Sequence, residues 1–485
     1  MFKNRHSEAP CSPSPVHLFP QRFSLAILIS LIGLLGGLAF NFSPSVRAEK
    51  SVPSARESSS QPALRGQAAV AYLKQQGLYD PLRNAMGAAR RPAMISSMLA
   101  EQAKLTADDG AGGDLYGATV SISGETVVVG SPLDEGPDDG ILDNRGSAYV
   151  FVRSGASWSQ QARLAASDAA TNDQFGSSVA ISGETIVVGA PGADIGANEN
   201  QGAAYTFVRG GASWSQQAKL TAGDGEAGEL FGLPVAISGG TVAVGVFSDN
   251  GSQGSAYTFV RSGVSWSQQA KFAAGDGVAN DQFGASIAIS GETVVVGAPL
   301  DDIGMNLDQG SAYVFVRSGV SWSQQAKLLA ANGVIFDYFG ISIAISGETA
   351  VVGSPRDDIG SNLDQGSAYV FVRSGAGWSQ QAKLTAGDGE GFDIFGNSVA
   401  VSGDKVVVGA PNADVGAVEN QGSAYVFVRN GVSWSAQSKL TASDGASEDQ
   451  LSTSVAISGG TVVAGASLDD VGFQQDQGSA YIFTP

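Results

Sequence analysis

From residue 100 onward the chain repeats one arrangement of hydrophobic and polar positions. Each copy has four short segments, which in the second copy are FGSSVAIS, ETIVVGAP, GAAYTFVR and WSQQAKLTA (175–182, 184–191, 202–209 and 214–222). The first, third and fourth segments place larger apolar residues at alternate positions, as expected for strands with two different faces. The second segment is apolar throughout, which is typical of a strand buried on both faces. Ser-Gly turns join the first segment to the second and the third to the fourth. The pattern predicts a four-stranded antiparallel meander.

This unit occurs seven times. The tyrosine of the third segment recurs at intervals of 56 residues, with one interval of 52, at Tyr149, Tyr205, Tyr257, Tyr313, Tyr369, Tyr425 and Tyr481. A fixed period of this size indicates a solenoid, an array or a propeller, and four-stranded units around an axis form a β-propeller. The last copy lacks its fourth segment, and residues 100–107 match that segment. We predict an all-β, seven-bladed β-propeller over residues 100–485 whose N-terminal strand closes the last blade; an open array is the alternative.

The N-terminal 99 residues have a different composition. Residues 1–22 are basic, residues 23–46 are uncharged, and the apolar core at 25–40 is shorter than the ~20 residues of a membrane span. We predict a signal peptide over 1–48, with an uncleaved membrane anchor as the alternative, and a secreted protein, extracellular or periplasmic. Residues 49–99 are predicted to be a linker and a short helical segment at 66–91.

Composition excludes several kinds of site. His6, His17 and Cys11, the only histidines and the only cysteine, precede residue 18. Cleavage of the predicted signal would therefore leave no histidine and no thiol. Zinc sites built on these residues, Ser-His-Asp triads, Cys-His nucleophiles, haem ligation by histidine and disulfides are all excluded on that basis.

The predicted propeller is strongly acidic. Residues 100–485 contain 42 acidic and 16 basic residues, and 36 of the acids lie in the loops between segments two and three or between successive copies. In a meander these loops share one face of the ring, and among basic residues only Arg145 and Arg356 lie in them. An arginine ends segment three in six copies, near the opposite face. Such a charge distribution repels nucleic acid and attracts cations or a basic partner.

Two short motifs resemble a known family. They are Phe-Gly at segment one and Gly-Ala-Pro at the end of segment two, as in Phe175-Gly176 with Gly189-Ala190-Pro191. They resemble the FG-GAP repeats of the integrin α-subunit β-propeller and its bacterial relatives, which implies a propeller and a role in adhesion. The family's DxDxDG calcium loop is replaced here by a short Ser-Gly-Glu-Thr turn, with too few oxygens for calcium. The family's calcium sites therefore do not carry over, and no cofactor is expected, although calcium at other acids is possible.

Acids recur in register within the loops. One stands two residues before each Phe-Gly position, a second stands five residues earlier in most copies, and a third follows segment two. The third group supplies the candidate cation ligands Asp194, Asp302, Asp358, Asp414 and Asp470. Because Asp side chains in turns often bond their own backbone, turn capping is the alternative interpretation of all three groups.

Departures from the repeat are the better guide to a specific site. The loop interval between segments two and three is 13 residues in five copies, 16 in the first and 9 in the third, from Gly245 to Gly254. The loops that lead into the fifth and sixth copies carry apolar residues where other copies are polar. These candidate partner-binding residues are Ile335, Phe336, Tyr338, Phe392 and Ile394. Exposed apolar patches mark contact surfaces, whereas the alternative is burial between blades.

We expect a secreted, non-catalytic binding or adhesion protein, monomeric, with a protein or polysaccharide ligand and no nucleic acid. One alternative is a carbohydrate-active hydrolase or lyase that uses paired carboxylates on the propeller. A structural envelope or matrix component is the other. Fold analogy alone is a weak argument for function.

Overall fold

The computed structural model describes residues 99–135 and 143–485. The predicted signal peptide, linker and helical segment lie outside the described residues. Within them the chain forms seven four-stranded antiparallel sheets, which are the blades of the predicted all-β propeller. The seven-bladed β-propeller fold is therefore confirmed.

The strands occupy equivalent positions in successive blades. Strand 1 of blades 1 to 7 is Thr119–Ser123, Ser178–Ser182, Val235–Ser238, Ser286–Ser290, Ile343–Ser346, Ser398–Ser402 and Ser454–Ser458. Strand 2 is Thr126–Ser131, Thr185–Ala190, Thr241–Val246, Thr293–Ala298, Thr349–Ser354, Lys405–Ala410 and Thr461–Ala466. Strand 3 is Ser147–Ser154, Ala203–Gly210, Ser255–Ser262, Ser311–Ser318, Ser367–Ser374, Ser423–Asn430 and Ser479–Thr484. Strand 4 of blades 1 to 6 is Ser157–Leu164, Ser213–Leu220, Ser265–Phe272, Ser321–Leu328, Gly377–Leu384 and Ser433–Leu440.

The fourth strand of blade 7 comes from the start of the described chain. Ala100–Leu105 pairs antiparallel with Ser479–Thr484, with a register shift between Glu101 and Ala103. The lysine of this strand, Lys104, lies opposite Tyr481, as the strand-4 lysines of other blades lie opposite their tyrosines. Blade 7 therefore joins chain segments from both ends of the repeat region.

Apolar side chains fill the space between blades. Phe175, fully buried, packs in one cluster with Val128 and Val150 of blade 1 and Tyr205 of blade 2. Its ring lies 5.7 Å from the Tyr205 ring in an edge-on arrangement, which is a favourable aromatic geometry. The following Gly176 has φ +97°, and a Cβ at this position would clash with the Ser147 carbonyl. The Phe-Gly motif thus supplies a wedge and a close backbone approach.

Two sets of hydrogen bonds connect neighbouring blades. At the strand 1 hairpins a glycine N–H donates to a serine Oγ of the preceding blade at 3.0–3.3 Å, and blade 7 precedes blade 1: Gly124–Ser458, Gly183–Ser123, Gly239–Ser182, Gly291–Ser238, Gly347–Ser290, Gly403–Ser346 and Gly459–Ser402. On strand 4 a tryptophan Nε1 donates to a glutamine of the preceding blade, as from Trp214 to Gln161 at 2.9 Å. The Trp158 bond to Gln102 of blade 7 is the equivalent contact at the closure.

Two kinds of connection define the faces of the ring. The 2→3 loop joins strands 2 and 3 of one blade, and the 4→1 loop joins strand 4 of a blade to strand 1 of the next. Together they form what we call the acidic face; the 1→2 and 3→4 turns form the turn face. Among the described residues the only segment assigned as helical is the four-residue turn Asp249–Ser252 in the 2→3 loop of blade 3, where Asn250 and Gly251 have left-handed φ. No helix in residues 99–135 and 143–485 has the length and apolar character needed to cross a bilayer.

Candidate functional site

The acidic face is organised by a cluster that recurs from blade to blade. In blade 4, Tyr313 on strand 3 lies opposite Lys327 on strand 4, so both side chains project from the same face of the sheet. The Tyr313 hydroxyl lies 2.9 Å from a carboxylate oxygen of Asp276 and 2.8 Å from one of Asp301, so its single proton is shared between the two carboxylates. The Lys327 ammonium lies 2.7 Å from Asp276 and 2.8 Å from Asp301. Because Asp276 belongs to a 4→1 loop and Asp301 to a 2→3 loop, the cluster ties the two loops together.

Strand-4 bases therefore neutralise part of the acidic face, which the loop sequences alone do not indicate. Blade 7 uses Lys104, whose ammonium lies 2.8 Å from Asp444 and 2.7 Å from Asp469. The bases that make these ion pairs are Lys104, Arg163, Lys219, Lys271, Lys327, Lys383 and Lys439. Burial acts to raise the pKa of Asp276, but hydrogen bonds from Lys327 and Tyr313 outweigh it and hold the pKa below its usual value.

The acids two residues before the Phe-Gly positions cap turns. In six blades the carboxylate accepts the backbone N–H three residues earlier at 2.6–2.8 Å: Ala111–Asp114, Ala170–Asp173, Val278–Asp281, Val334–Asp337, Glu390–Asp393 and Ala446–Asp449. These carboxyls are buried. Burial raises the pKa of Asp114 and of Asp337 to about 7, and that of Asp393 to about 6. The geometry agrees with the turn-capping interpretation of this group.

The five candidate cation ligands lie exposed in the 2→3 loops of blades 2, 4, 5, 6 and 7. Each carboxylate accepts the backbone N–H six residues later at 2.7–2.9 Å: Asp194–Asn200, Asp302–Asp308, Asp358–Asp364, Asp414–Asn420 and Asp470–Asp476. Every acceptor residue therefore stabilises its own loop. No group of three or more acidic, histidine or cysteine side chains in the described part of the chain is arranged to hold a metal ion. Cation binding by these five residues stays a prediction.

The five candidate partner-binding residues lie at two neighbouring blade junctions. Phe336 donates its backbone N–H to the Leu307 carbonyl of blade 4 at 2.9 Å, and Phe392 donates to the Leu363 carbonyl of blade 5 at 2.8 Å. Ile335 and Phe336 are each 46% exposed, and Phe392 is 51% exposed. Tyr338 and Ile394 are half-buried, one residue before a buried Phe of the Phe-Gly motif. The three exposed side chains do not tuck between the blades.

Sequence reasoning missed the apolar partners of this surface. Leu307 and Leu363 are 50% and 56% exposed. They occupy a 2→3 loop position at which blades 2 and 6 have Glu199 and Glu419. The signal was present as a leucine in place of glutamate, but the junction that pairs Leu307 with Phe336 exists only in the folded chain. We call the exposed residues Leu307, Ile335, Phe336, Leu363 and Phe392 the apolar patch.

The backbone at these junctions is in the left-handed region. Phe336 has φ +66° and Phe392 has φ +71°, which is uncommon for a bulky residue. At the same position other blades have glycine, asparagine or glutamate: Gly113, Asn172, Gly228, Asn280 and Glu448. Glycine and asparagine adopt this conformation at low cost. Blades 5 and 6 therefore keep an aromatic residue where local backbone energetics favour a small or polar one, and such outliers cluster at functional sites.

The surroundings of the apolar patch are polar and mostly acidic. Asp308 and Asp364 directly follow the two leucines, and burial together with the nearby carboxylates of Asp302 and Asp358 acts to raise their pKa. A cation also lies nearby: the Arg356 guanidinium is 4.7 Å from the centre of the Tyr338 ring. The arrangement is an apolar centre within an anionic rim, which is the anatomy of a binding surface.

Comparison with known proteins identifies the repeat. The family model described as FG-GAP repeat matches seven consecutive segments of the chain: 99–151, 158–207, 214–259, 266–315, 322–371, 378–427 and 434–483. Each matched segment contains strand 4 of one blade and strands 1 to 3 of the next, and the first begins with the strand that completes blade 7. No curated protein matches the chain.

Proposed function

The chain belongs to the FG-GAP repeat family, and we propose that it is a secreted, non-catalytic binding protein that holds a protein partner on its acidic face. The proposal rests on one observation, the apolar patch at the junctions of blades 4, 5 and 6. The predicted signal peptide over 1–48 supports export. The likeness of the motifs to integrin-type repeats supports an adhesive role as the family expectation.

The patch has the properties of a contact surface. Phe336 and Phe392 expose about half of their side-chain area and hold a left-handed backbone conformation. Neither the exposed aromatic side chains nor their left-handed backbone conformation is required for the stability of the propeller, since other blades have polar residues or glycine at this position. Large aromatic side chains at the centre of an interface carry much of its binding energy. We infer that these residues are retained for a partner.

Charge defines the partner further. Asp302, Asp308, Asp358 and Asp364 lie in the loops beside the patch, so a complementary surface has an apolar centre and basic residues around it. Rim charges steer association more than they add affinity. We therefore expect the association rate to fall as salt rises, with a smaller change in the dissociation rate.

The carboxylates of the acidic face favour binding over hydrolysis. Acid–base catalysis needs a carboxyl group that can reach a substrate. Asp276 and Asp301 are engaged by Tyr313 and Lys327, and Asp337 caps a backbone N–H. Repetition of the same arrangement in several blades favours a structural use. A panel of polysaccharides incubated with the protein tests this, because release of shorter chains would contradict a non-catalytic role.

The direct test compares three forms of the mature chain immobilised on beads. The double variant Phe336→Asn/Phe392→Asn places in blades 5 and 6 the residue that blades 2 and 4 already have. The control Val320→Asn/Val432→Asn removes two residues that are 76% exposed in turns of the turn face. Proteins captured from the surroundings of the producing cells are quantified by mass spectrometry, and the affinity of each is measured with purified material.

We expect the patch variant to bind the partner at least about tenfold more weakly, since aromatic hot spots contribute ~2 kcal/mol or more. The control should bind as the wild type does. Equal binding by all three forms would remove the patch from the function. Loss of binding to a polysaccharide, rather than to a protein, would correct the partner class.

A further inference from the structure

Blade 3 has a cavity that its short 2→3 loop opens on the acidic face. The loop from Gly245 to Gly254 is four residues shorter than in most blades and forms the tight turn Asp249–Ser252, in which Asn250, Gly251 and Ser252 have left-handed φ of +52°, +67° and +60°. The cavity has a volume of about 440 Å³, within the range of small-molecule sites. Its charged lining residues are Asp224, Glu226, Glu229, Asp249 and Lys271.

A carboxylate oxygen in this cavity has no hydrogen-bond partner. Glu229 is 6% exposed and Asp249 is 7% exposed, and Oε2 of Glu229 accepts no hydrogen bond from the described protein. Burial, with the neighbouring Asp249 carboxylate, acts to raise the pKa of Glu229. Buried polar groups in folded proteins normally have partners. An unpaired carboxylate oxygen beside a second carboxylate favours the binding of a positively charged hydrogen-bond donor.

Comparison with blade 4 shows what is different. There the equivalent position is Asp281, whose carboxylate accepts the Val278 N–H at 2.7 Å, as Glu229 accepts the Glu226 N–H in blade 3. The serine at the start of strand 3 of blade 4, Ser311, donates to Asp301 at 2.5 Å. In blade 3 the equivalent serine, Ser255, is 1% exposed and its Oγ has no partner, which is also true of Ser147 in blade 1 and Ser423 in blade 6; in blade 3 this unpaired hydroxyl lies beside the cavity. Both unpaired groups of blade 3 line the cavity.

The cavity already accommodates one ammonium group. The Lys271 ammonium lies 2.8 Å from Asp224 and 2.8 Å from Asp249. Lys271 balances one of the four negative charges, so the lining keeps an excess of acid. A cavity of about 440 Å³ is much larger than a metal ion, and no metal-holding group of side chains occurs in the described residues. An organic cation fits the volume, the charge and the unpaired acceptor together.

We propose that this cavity is a binding site for a primary alkylammonium group, with Glu229 and Asp249 as counter-charges and Ser255 as an additional hydrogen-bond partner. The group comes either from a small free amine or from a lysine side chain of a bound protein. The site is independent of the proposed function, because it lies on blade 3 and uses no residue of the apolar patch.

Calorimetric titration of the full chain at low and high salt tests the proposal. The probes are 1,5-diaminopentane, lysine blocked at its amino and carboxyl ends, blocked norleucine as the uncharged control, and calcium chloride. We expect binding of the two amines, weakened by salt, and no binding of blocked norleucine. Tighter binding of diaminopentane indicates a free amine as ligand, and tighter binding of blocked lysine indicates a partner's side chain.

Two variants locate the site. Glu229→Gln keeps the shape but removes the charge, and we expect roughly tenfold or greater loss of amine affinity, as for a lost charged hydrogen bond. The matched control Asp281→Asn changes the equivalent position of blade 4 and should leave amine binding unchanged. Circular dichroism verifies the fold of both variants.

Three results would overturn the proposal. They are equal binding of blocked norleucine and blocked lysine, equal amine affinity of Glu229→Gln and wild type, and binding of calcium without binding of either amine. The Phe336→Asn/Phe392→Asn variant separates this inference from the proposed function, because it should keep full amine affinity while it loses the protein partner.

Discussion

The loops that enter blades 4 and 5 perform the same structural task with different residues. Blade 4 uses Asn280-Asp281-Gln282, and blade 5 uses Phe336-Asp337-Tyr338. The first and third residues of each triplet have positive φ, at +73° and +56° in blade 4 and at +66° and +55° in blade 5. The central aspartate caps the turn in both blades. The fold thus specifies the backbone and the aspartate, while the flanking side chains are free to serve another purpose.

The comparison separates architecture from function within one repeat. Asparagine holds a left-handed conformation more easily than phenylalanine does. A phenylalanine whose backbone is strained and whose side chain is half-exposed contributes nothing to the stability of the propeller that asparagine would not. Blade 3 is a second departure from the repeat, because its 2→3 loop is shortened and a cavity lies beside Glu229, which keeps the backbone cap but has one unpaired carboxylate oxygen.

The largest expected effect comes from two phenylalanines three positions apart. Phe339 is fully buried, with its ring 5.5 Å from that of Tyr369 and 6.0 Å from that of Phe371. Phe339→Ala should lower the free energy of unfolding by about 3–5 kcal/mol, through lost burial and the cavity left behind. Phe336→Ala should change it by less than about 1 kcal/mol. Urea unfolding followed by fluorescence compares the two, and similar losses would show that the exposed residue is structural after all.

What the sequence could predict is what the repeat shares. The tyrosine period, the unbroken apolar second segment and the Phe-Gly wedge of five copies predict blades and their number, because each is imposed by contacts that recur from blade to blade. The pairing of Lys327 with Asp276 was not predicted, since it depends on the register that sets Lys327 opposite Tyr313. The contact of Leu307 with Phe336 likewise forms between loops of different blades. The shortened loop of blade 3 was visible, but its cavity depends on how that loop folds.

The second-largest expected effect is a change of folding stability with pH, caused by the turn-capping aspartates that most blades share. Burial raises the pKa of Asp114 and Asp337 to about 7, whereas an unfolded aspartate has a pKa of about 4. The folded state therefore binds more protons than the unfolded state in this window, and stability should rise as the pH falls from about 7.5 to about 5. Asp337→Asn, which keeps an acceptor for the Val334 N–H, should reduce that rise.

The aspartates paired with lysines change the folding stability in the opposite direction and at lower pH. The pKa of Asp276 is held below its usual value, as is that of Asp444, so their contribution is complete above about pH 4 and lost as the pH falls further. Thermal melts across pH 3–8 should thus show a maximum between about pH 4 and 6. A melting temperature that falls steadily from pH 7.5 to 5 would contradict the assignment.

A third, smaller effect tests the comparison by exchange. Phe336→Asn should raise the free energy of unfolding by up to about 1 kcal/mol, because asparagine tolerates the left-handed backbone better. The reciprocal Asn280→Phe in blade 4 should lower it by a similar amount. Denaturant midpoints of the two variants measure both changes. A loss of stability in Phe336→Asn would mean that the Phe336 side chain makes contacts that stabilise the propeller.

The smallest expected effect concerns the candidate cation ligands. Asp302 accepts the N–H of Asp308 at 2.9 Å, and one such hydrogen bond in an exposed loop contributes about 0.5 kcal/mol, the low end of the usual range. Asp302→Ala should therefore destabilise the protein by that amount. Asp302→Asn keeps an oxygen acceptor but removes the charge, so a cap should survive this change, whereas a cation ligand should not. Melts of both variants with calcium and with chelator separate the two roles. Wild-type stability in Asp302→Asn, unaltered by calcium, would establish the cap, and a calcium-dependent rise present only in the wild type would establish the ligand.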